Sequence, residues 1–200
     1  MLDQEKADPA RERLIKAGAA LFAEHGFKGA SVRQICASAD TSINMIHHHF
    51  KSKQGLLDAV IDQFSSNVFA TPARIMDFDP KSREDFFSRL ELLFATTFEA
   101  FIEHRDTLAV VVRENGNPPA FLSYIQKLQK FLENAKSLGF VRPELDTEMI
   151  TGFMLDRLLN QILHGNWIKN VYGETVVADQ RKKREWLEAN LSVFVSGISA

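Results

Sequence analysis

A single cysteine, Cys36, stands in this 200-residue chain, which excludes an intrachain disulfide. Its place on the inner face of a helical pattern reads as a small core residue. No stretch reaches the roughly 18 to 20 apolar residues that a membrane span needs, and the opening MLDQEKADPARER is charged where a signal segment would be apolar. The expectation is a cytoplasmic protein with no membrane partner. Also missing are a glycine-rich phosphate loop, a nucleophile elbow and paired metal-ligand spacing, so neither catalysis nor a cofactor is expected. The run His47, His48, His49 does not change this. Consecutive helical residues point about 100° apart and cannot converge on one ion, and the next histidine is His25. A strong charge of one sign is lacking as well. A net charge of −2 argues against a protein that coats nucleic acid.

The distribution of charge points the other way. Between residues 27 and 53, Lys28, Arg33, Lys51 and Lys53 are opposed by Asp40 alone, a local charge of +3 on an otherwise acidic chain. A basic end on an acidic body suits a protein that touches phosphates with one face. Two short helical patterns occupy that end. Val32, Ile35, Cys36 and Ala39 fall at i, i+3, i+4 and i+7 behind Ser31, a good N-cap. Met45, Ile46 and Phe50 form a second stripe, with Ser42 placed to cap it. Only Asp40 and Thr41 separate the two, so the helices must cross on each other and on a third. That third pattern lies upstream, in Leu14, Ile15, Gly18, Leu21, Phe22 and His25, with Gly26 as its stop and Phe27 tucked back beneath. Together they read as a helix-turn-helix.

Leu21 to Phe27 reads LFAEHGF, Ser31 to Cys36 reads SVRQIC, and Ile46 to Lys53 reads IHHHFKSK. In these segments the chain resembles the TetR-type (tetracycline-repressor-like) transcriptional regulator family, over roughly its first quarter to third. Asp40 stands where the family's turn usually has glycine and can still tolerate a left-handed backbone. His47 stands where the family usually has an aromatic. The resemblance implies that the second helix of the motif enters the major groove, presenting Ser42, Ile43, Asn44, Met45, His47 and His48. Asn44 carries the clearest base-reading chemistry, because its amide can pair with an adenine edge. Arg33 matches a family position that often reaches a base or phosphate. His47, Lys53 and the cap at Ser42 suit phosphate oxygens better. With Ser31 at the first cap, the expected DNA-contacting set is Ser31, Arg33, Ser42, Asn44, Met45, His47, His48 and Lys53.

The rest of the chain reads as further helices, giving an all-α protein of about nine. The expected division is a helix-turn-helix DNA-binding domain over 8–65 and a helical ligand-binding and dimerisation domain over 66–200. A helix starting near Gly55 runs toward Asn67. Thr71 and Pro72, then Asp77 to Pro80, mark a break, and the next helix begins about Ser82. From Phe86 to Ile102 a wide aromatic stripe forms either plain core or the wall of a ligand cavity. A short apolar helix spans Arg105 to Arg113, and Glu114 to Pro119 is the strongest loop signal. A helix carrying Phe121, Tyr124, Leu128 and Phe131 follows and stops at Gly139. Asp146 caps another from Thr147 to about Asn166, apolar on more than one side. Gly165 to Asp179 reads as a loop before a last helix from Val177 to Ser199, and the basic run from Arg181 to Arg184 as a solvated helix end.

In the family this body encloses the inducer. The expected ligand set is Phe94, Phe98, Phe101, Tyr124, Leu128, Phe131, Phe153, Arg157 and Asn160, facing a small apolar or amphipathic effector. Two terminal helices with surplus apolar surface argue for a two-fold homodimer built as a four-helix bundle, seamed by Leu155, Leu159, Leu187, Leu191, Phe194 and Ile198. The functional expectation is a ligand-responsive repressor acting on a palindromic DNA operator. An enzyme and a purely structural helical adaptor are the competing classes.

Overall fold

A computed structural model of the chain describes residues 8–114, 118–173 and 175–200. Part of the expected loop, Asn115 to Asn117, and the first seven residues of the charged opening lie outside the described residues. Ten α-helices and one 3-10 turn occur among them, with no strand beyond a single bridge between Val141 and Ser199. Internal contacts divide the chain into two units. The first takes the chain up to Ser66 together with Asp106–Pro118, and the second takes Asn67–Arg105 with Pro119–Ala200.

In the first unit, α1 (Pro9–Gly29) begins behind Asp8, whose carboxylate accepts from the amide of Ala10. Gly26 breaks the regular helix, with φ 72° in a region that a side chain would oppose. The following residue turns inward, so that the Phe27 ring lies 5.7 Å from Phe22. Next come α2 (Val32–Ser38), α3 (Ile43–Phe50) and α4 (Lys53–Ile75). Leu14, Phe22, Ile35, Ile46, Phe50, Leu56 and Val60 close a shared core. Val110 of α6 (Arg105–Arg113) belongs to that core as well. Arg113 donates to the carbonyls of Phe22 and Ala23 at 3.2 and 3.0 Å, placing a cation at the carbonyl end of α1, where the helix dipole favours it.

The second unit holds the rest of α4 with α5 (Arg83–Glu103), α7 (Pro119–Ser137), α8 (Thr147–Leu163), α9 (Gly165–Tyr172) and α10 (Gln180–Ile198). The expected break at Thr71 and Pro72 is corrected: α4 continues through Pro72 to Ile75. Val68, Phe69, Pro72 and Met76 are all buried at helical spacing, and this burial offsets the hydrogen bond that proline forfeits. The chain breaks instead at the exposed Asp77 to Asp79. The loop expected over Gly165 to Asp179 is also corrected. It contains α9 and a 3-10 turn at Val176–Ala178, and the two turns of α9 carry Ile168 into a buried position. The last helix starts at Gln180, later than expected, because Asp179 accepts from the amides of Arg181 and Lys182 at 2.7 and 3.1 Å.

Candidate nucleic-acid interface

Each helix of the motif is fixed by a local device. Ser31 and Gln34 form a reciprocal capping box on α2: the amide of Gln34 donates to Ser31 Oγ at 3.2 Å, and the amide of Ser31 donates to Gln34 Oε1 at 3.0 Å. Asp40 takes φ 49°, so the turn adopts the left-handed backbone without glycine. Arg13 of α1 donates to the Ala39 carbonyl at 3.0 Å and pins the end of α2 to the first helix. The far end of α3 is set by a close crossing with α4. A Cβ on Gly55 would stand 2.0 Å from the Phe50 carbonyl oxygen, so the backbones can pass only with glycine there.

With Ile46 and Phe50 locked into the core, the helical period decides what α3 shows to solvent. Ser42, Ile43, Asn44, His47 and His48 are exposed and Met45 is half-buried. Arg33 is exposed on α2, as is Ser31 at its cap. The expectation that the Ser42 side chain caps α3 is corrected, since it makes no cap hydrogen bond. The amides of Ile43 and Asn44 therefore remain available to an anion, while that of Met45 donates to the Ser42 carbonyl at 3.0 Å. His47 Nδ1 lies 3.1 Å from the Lys51 carbonyl oxygen. A carbonyl only accepts, so Nδ1 carries the proton and Nε2 is left as the outward-facing nitrogen. His49 turns the other way, with Nε2 3.4 Å from an Asp8 carboxylate oxygen. Lys53 opens α4 as expected but folds back. Its ammonium donates to the carbonyls of Phe27 and Ala30 at 2.7 and 3.0 Å and sits 4.5 Å from the Phe27 ring centroid, leaving one N–H for any phosphate.

The body residues separate into three groups. Phe94, Phe98, Phe101, Tyr124, Leu128 and Phe131 are buried. The Tyr124 hydroxyl is 3.0 Å from Thr97 Oγ1, and burial pushes its pKa up to about 12, partly offset by that hydrogen bond. Arg157 and Asn160 lie apart from this core, on the wall of a cavity of about 530 Å³. Phe153 belongs to neither, being 58% exposed on α8. Of the expected seam, Leu155, Phe194 and Ile198 are already buried within the chain, and Leu159, Leu187 and Leu191 are half-buried. On α8 and α10 the large apolar side chains facing solvent are Met149, Phe153 and Val193, at 60, 58 and 70% exposure, along an apolar groove between the two helices. Met149 and Val193 are not evident as surface residues from the sequence, although Met149 and Phe153 are one helical turn apart.

Three crossing helices with a polar face turned out on the last define a helix-turn-helix DNA-binding protein. A sequence profile described as "Bacterial regulatory proteins, tetR family" matches residues 14–60. The HTH-type transcriptional repressor KstR2 of Mycobacterium tuberculosis is 31% identical over 158 residues, covering 73% of this chain and 76% of that protein. The chain belongs to the TetR family and is a DNA-binding transcriptional regulator. Its fold is shared with the solved structure of KstR2, described as a ketosteroid transcriptional regulator, at a TM-score of 0.69 and 21% identity, covering 100% of this chain and 97% of that one. The Bacillus subtilis transcriptional regulator FadR, solved in complex with stearoyl-CoA, superposes with a TM-score of 0.70 at 17% identity, covering 94 and 98% of the two chains.

Proposed function

We propose that the chain is a repressor that binds a palindromic operator as a homodimer and is released by a small apolar or amphipathic molecule. The observation that carries this reading is the outer face of α3, where Asn44, His47 and His48 stand exposed above the buried Ile46 and Phe50. A helix of this kind fits the major groove, where Asn44 reads a base edge while Arg33 and the first amides of α3 hold phosphates. The dimer rests on Met149, Phe153 and Val193, which a second copy would cover by joining α8 and α10 to their counterparts. Two-fold symmetry then places two α3 helices against half-sites about one helical turn of DNA apart. Release requires that the effector prefer a conformation whose two α3 helices are wrongly spaced. That a relative is a repressor and a structural neighbour holds stearoyl-CoA supports a regulated switch of this type.

The test is a gel-shift and footprint with DNA upstream of the chain's own gene and its neighbours. A symmetric footprint, lost on adding a metabolite processed by the neighbouring gene products, is the expected result. A footprint without two-fold symmetry would refute the dimeric reading.

A further inference from the structure

The cavity beside Arg157 is built differently from an incidental surface dent. Its volume, about 530 Å³, falls within the range of roughly 300 to 1,000 Å³ usual for small-molecule sites. Both tryptophans of the chain, Trp167 and Trp186, line it with Ile168 and Val176, giving it flat apolar walls. Among the described residues that line it, Arg157 and Lys182 are cationic and Glu185, 3.3 Å from Arg181, is anionic.

One further observation points to a missing partner. Arg157 is held in place before anything binds. Its Nε donates to Asn190 Oδ1 at 2.6 Å, Asn190 Nδ2 donates to the Trp186 carbonyl at 2.7 Å, and the guanidinium carbon sits 4.8 Å from the Trp186 ring centroid. Trp186 is itself stacked on Phe98 at 4.9 Å. The two terminal nitrogens of Arg157 make no hydrogen bond among the described residues, so an oriented two-donor fork is left over. Gln161, also on the cavity wall, is only 4% exposed as a residue, but its side-chain amide stays open to the cavity.

We infer that this cavity, walled by α8, α9, the 3-10 turn and α10, binds a small planar carboxylate. The carboxylate engages the Arg157 fork and the ring lies against Trp167, beside the open amide of Gln161. A cation is disfavoured by the unpaired guanidinium. The inference deepens the regulator reading and rests on it, because it names the chemical class of the effector.

The probe is 2-naphthoate, with 2-naphthamide as its uncharged isostere, titrated calorimetrically into the full chain. The expected result is one saturable site per chain for 2-naphthoate and at least about tenfold weaker binding of the amide, as the loss of a charge-assisted pair implies. Arg157→Gln should weaken 2-naphthoate by a similar factor. Arg157→Lys keeps the charge but not the fork and should rescue only part of it. Absence of binding, equal affinity for the two naphthalenes, or undiminished affinity in Arg157→Gln overturns the assignment. A parallel gel-shift separates the two readings. Operator binding without carboxylate discrimination sinks the cavity alone, and discrimination without operator binding sinks the regulator reading alone.

Discussion

Gly55→Ala is the sharpest perturbation of the DNA-reading end, because its effect follows from one distance. The added methyl would lie 2.0 Å from the Phe50 carbonyl oxygen, and carbon–oxygen contacts close at about 3.3 Å, so the backbones must part by roughly 1.3 Å. No flexible side chain can absorb the shift, since the three nearest atoms all belong to the Phe50 backbone. Phe50 anchors the end of α3 in the core, and moving it also moves the helix that presents Asn44. Overpacking of this kind costs typically 1 to 3 kcal/mol, and for rigid backbone we expect the upper end, about 3 kcal/mol. That is a loss of more than about a hundredfold in the folded-to-unfolded ratio. Urea unfolding followed by far-UV circular dichroism measures it, and operator titration by fluorescence anisotropy measures the displaced helix. Both tryptophans belong to the second unit, so tryptophan emission shows whether that unit stays folded. A variant with the parent's unfolding midpoint and operator affinity would refute the close-crossing argument.

Other positions carry their own expected outcomes. Asn44→Ala should cost roughly 1 to 3 kcal/mol at one base pair of each half-site and leave non-specific binding nearly intact, and a uniform loss across sequences would move Asn44 to phosphate contact. Lys53→Met leaves the Phe27 and Ala30 carbonyls without their ammonium and should lower stability by about 1 to 3 kcal/mol, read as a shift in denaturation midpoint at unchanged slope. Met149→Asp or Phe153→Asp should yield monomers in sedimentation at micromolar concentration with far-UV dichroism retained, since both side chains face solvent within one chain. The Asp85 and Asp179 carboxyls are held below the usual carboxylate range, first by the backbone amides they accept from. A depressed pKa contributes stability above the unfolded value of about 4 that is lost as pH falls through the folded value. Acidification should therefore fray the first turns of α5 and α10, seen as faster amide exchange there, and Asp179→Asn should blunt the response in α10.

Periodicity speaks most clearly where helices are short and sharply bounded, and there the sequence is legible. The helix-turn-helix follows from two apolar stripes, the Ser31 cap and a two-residue turn, and Asp146 marks the start of α8 as its side chain suggests. Legibility fails where burial overrides local chemistry. Pro72 reads as a breaker, but the apolar face on which it lies carries α4 onward. Gly165 to Asp179 reads as loop because the apolar residues of α9 span only two turns. Ring-rich stripes cannot say whether they enclose a space or fill it, and here Phe94, Phe98 and Phe131 are buried while the cavity opens beside Arg157. The inward turn of Lys53 is equally invisible, because its partners are carbonyls more than twenty residues away.

Asp106–Pro118 folds with the DNA-reading helices although it is encoded deep within the body. Anyone grafting this specificity onto another regulator would naturally cut near residue 65, where a linear reading ends the domain. Such a transplant would leave behind Val110, a member of the shared core, and Arg113, the guanidinium that satisfies the carbonyls of Phe22 and Ala23. A hybrid that keeps this specificity must therefore carry two separate pieces of the chain, and it inherits the connections that lead into and out of α6.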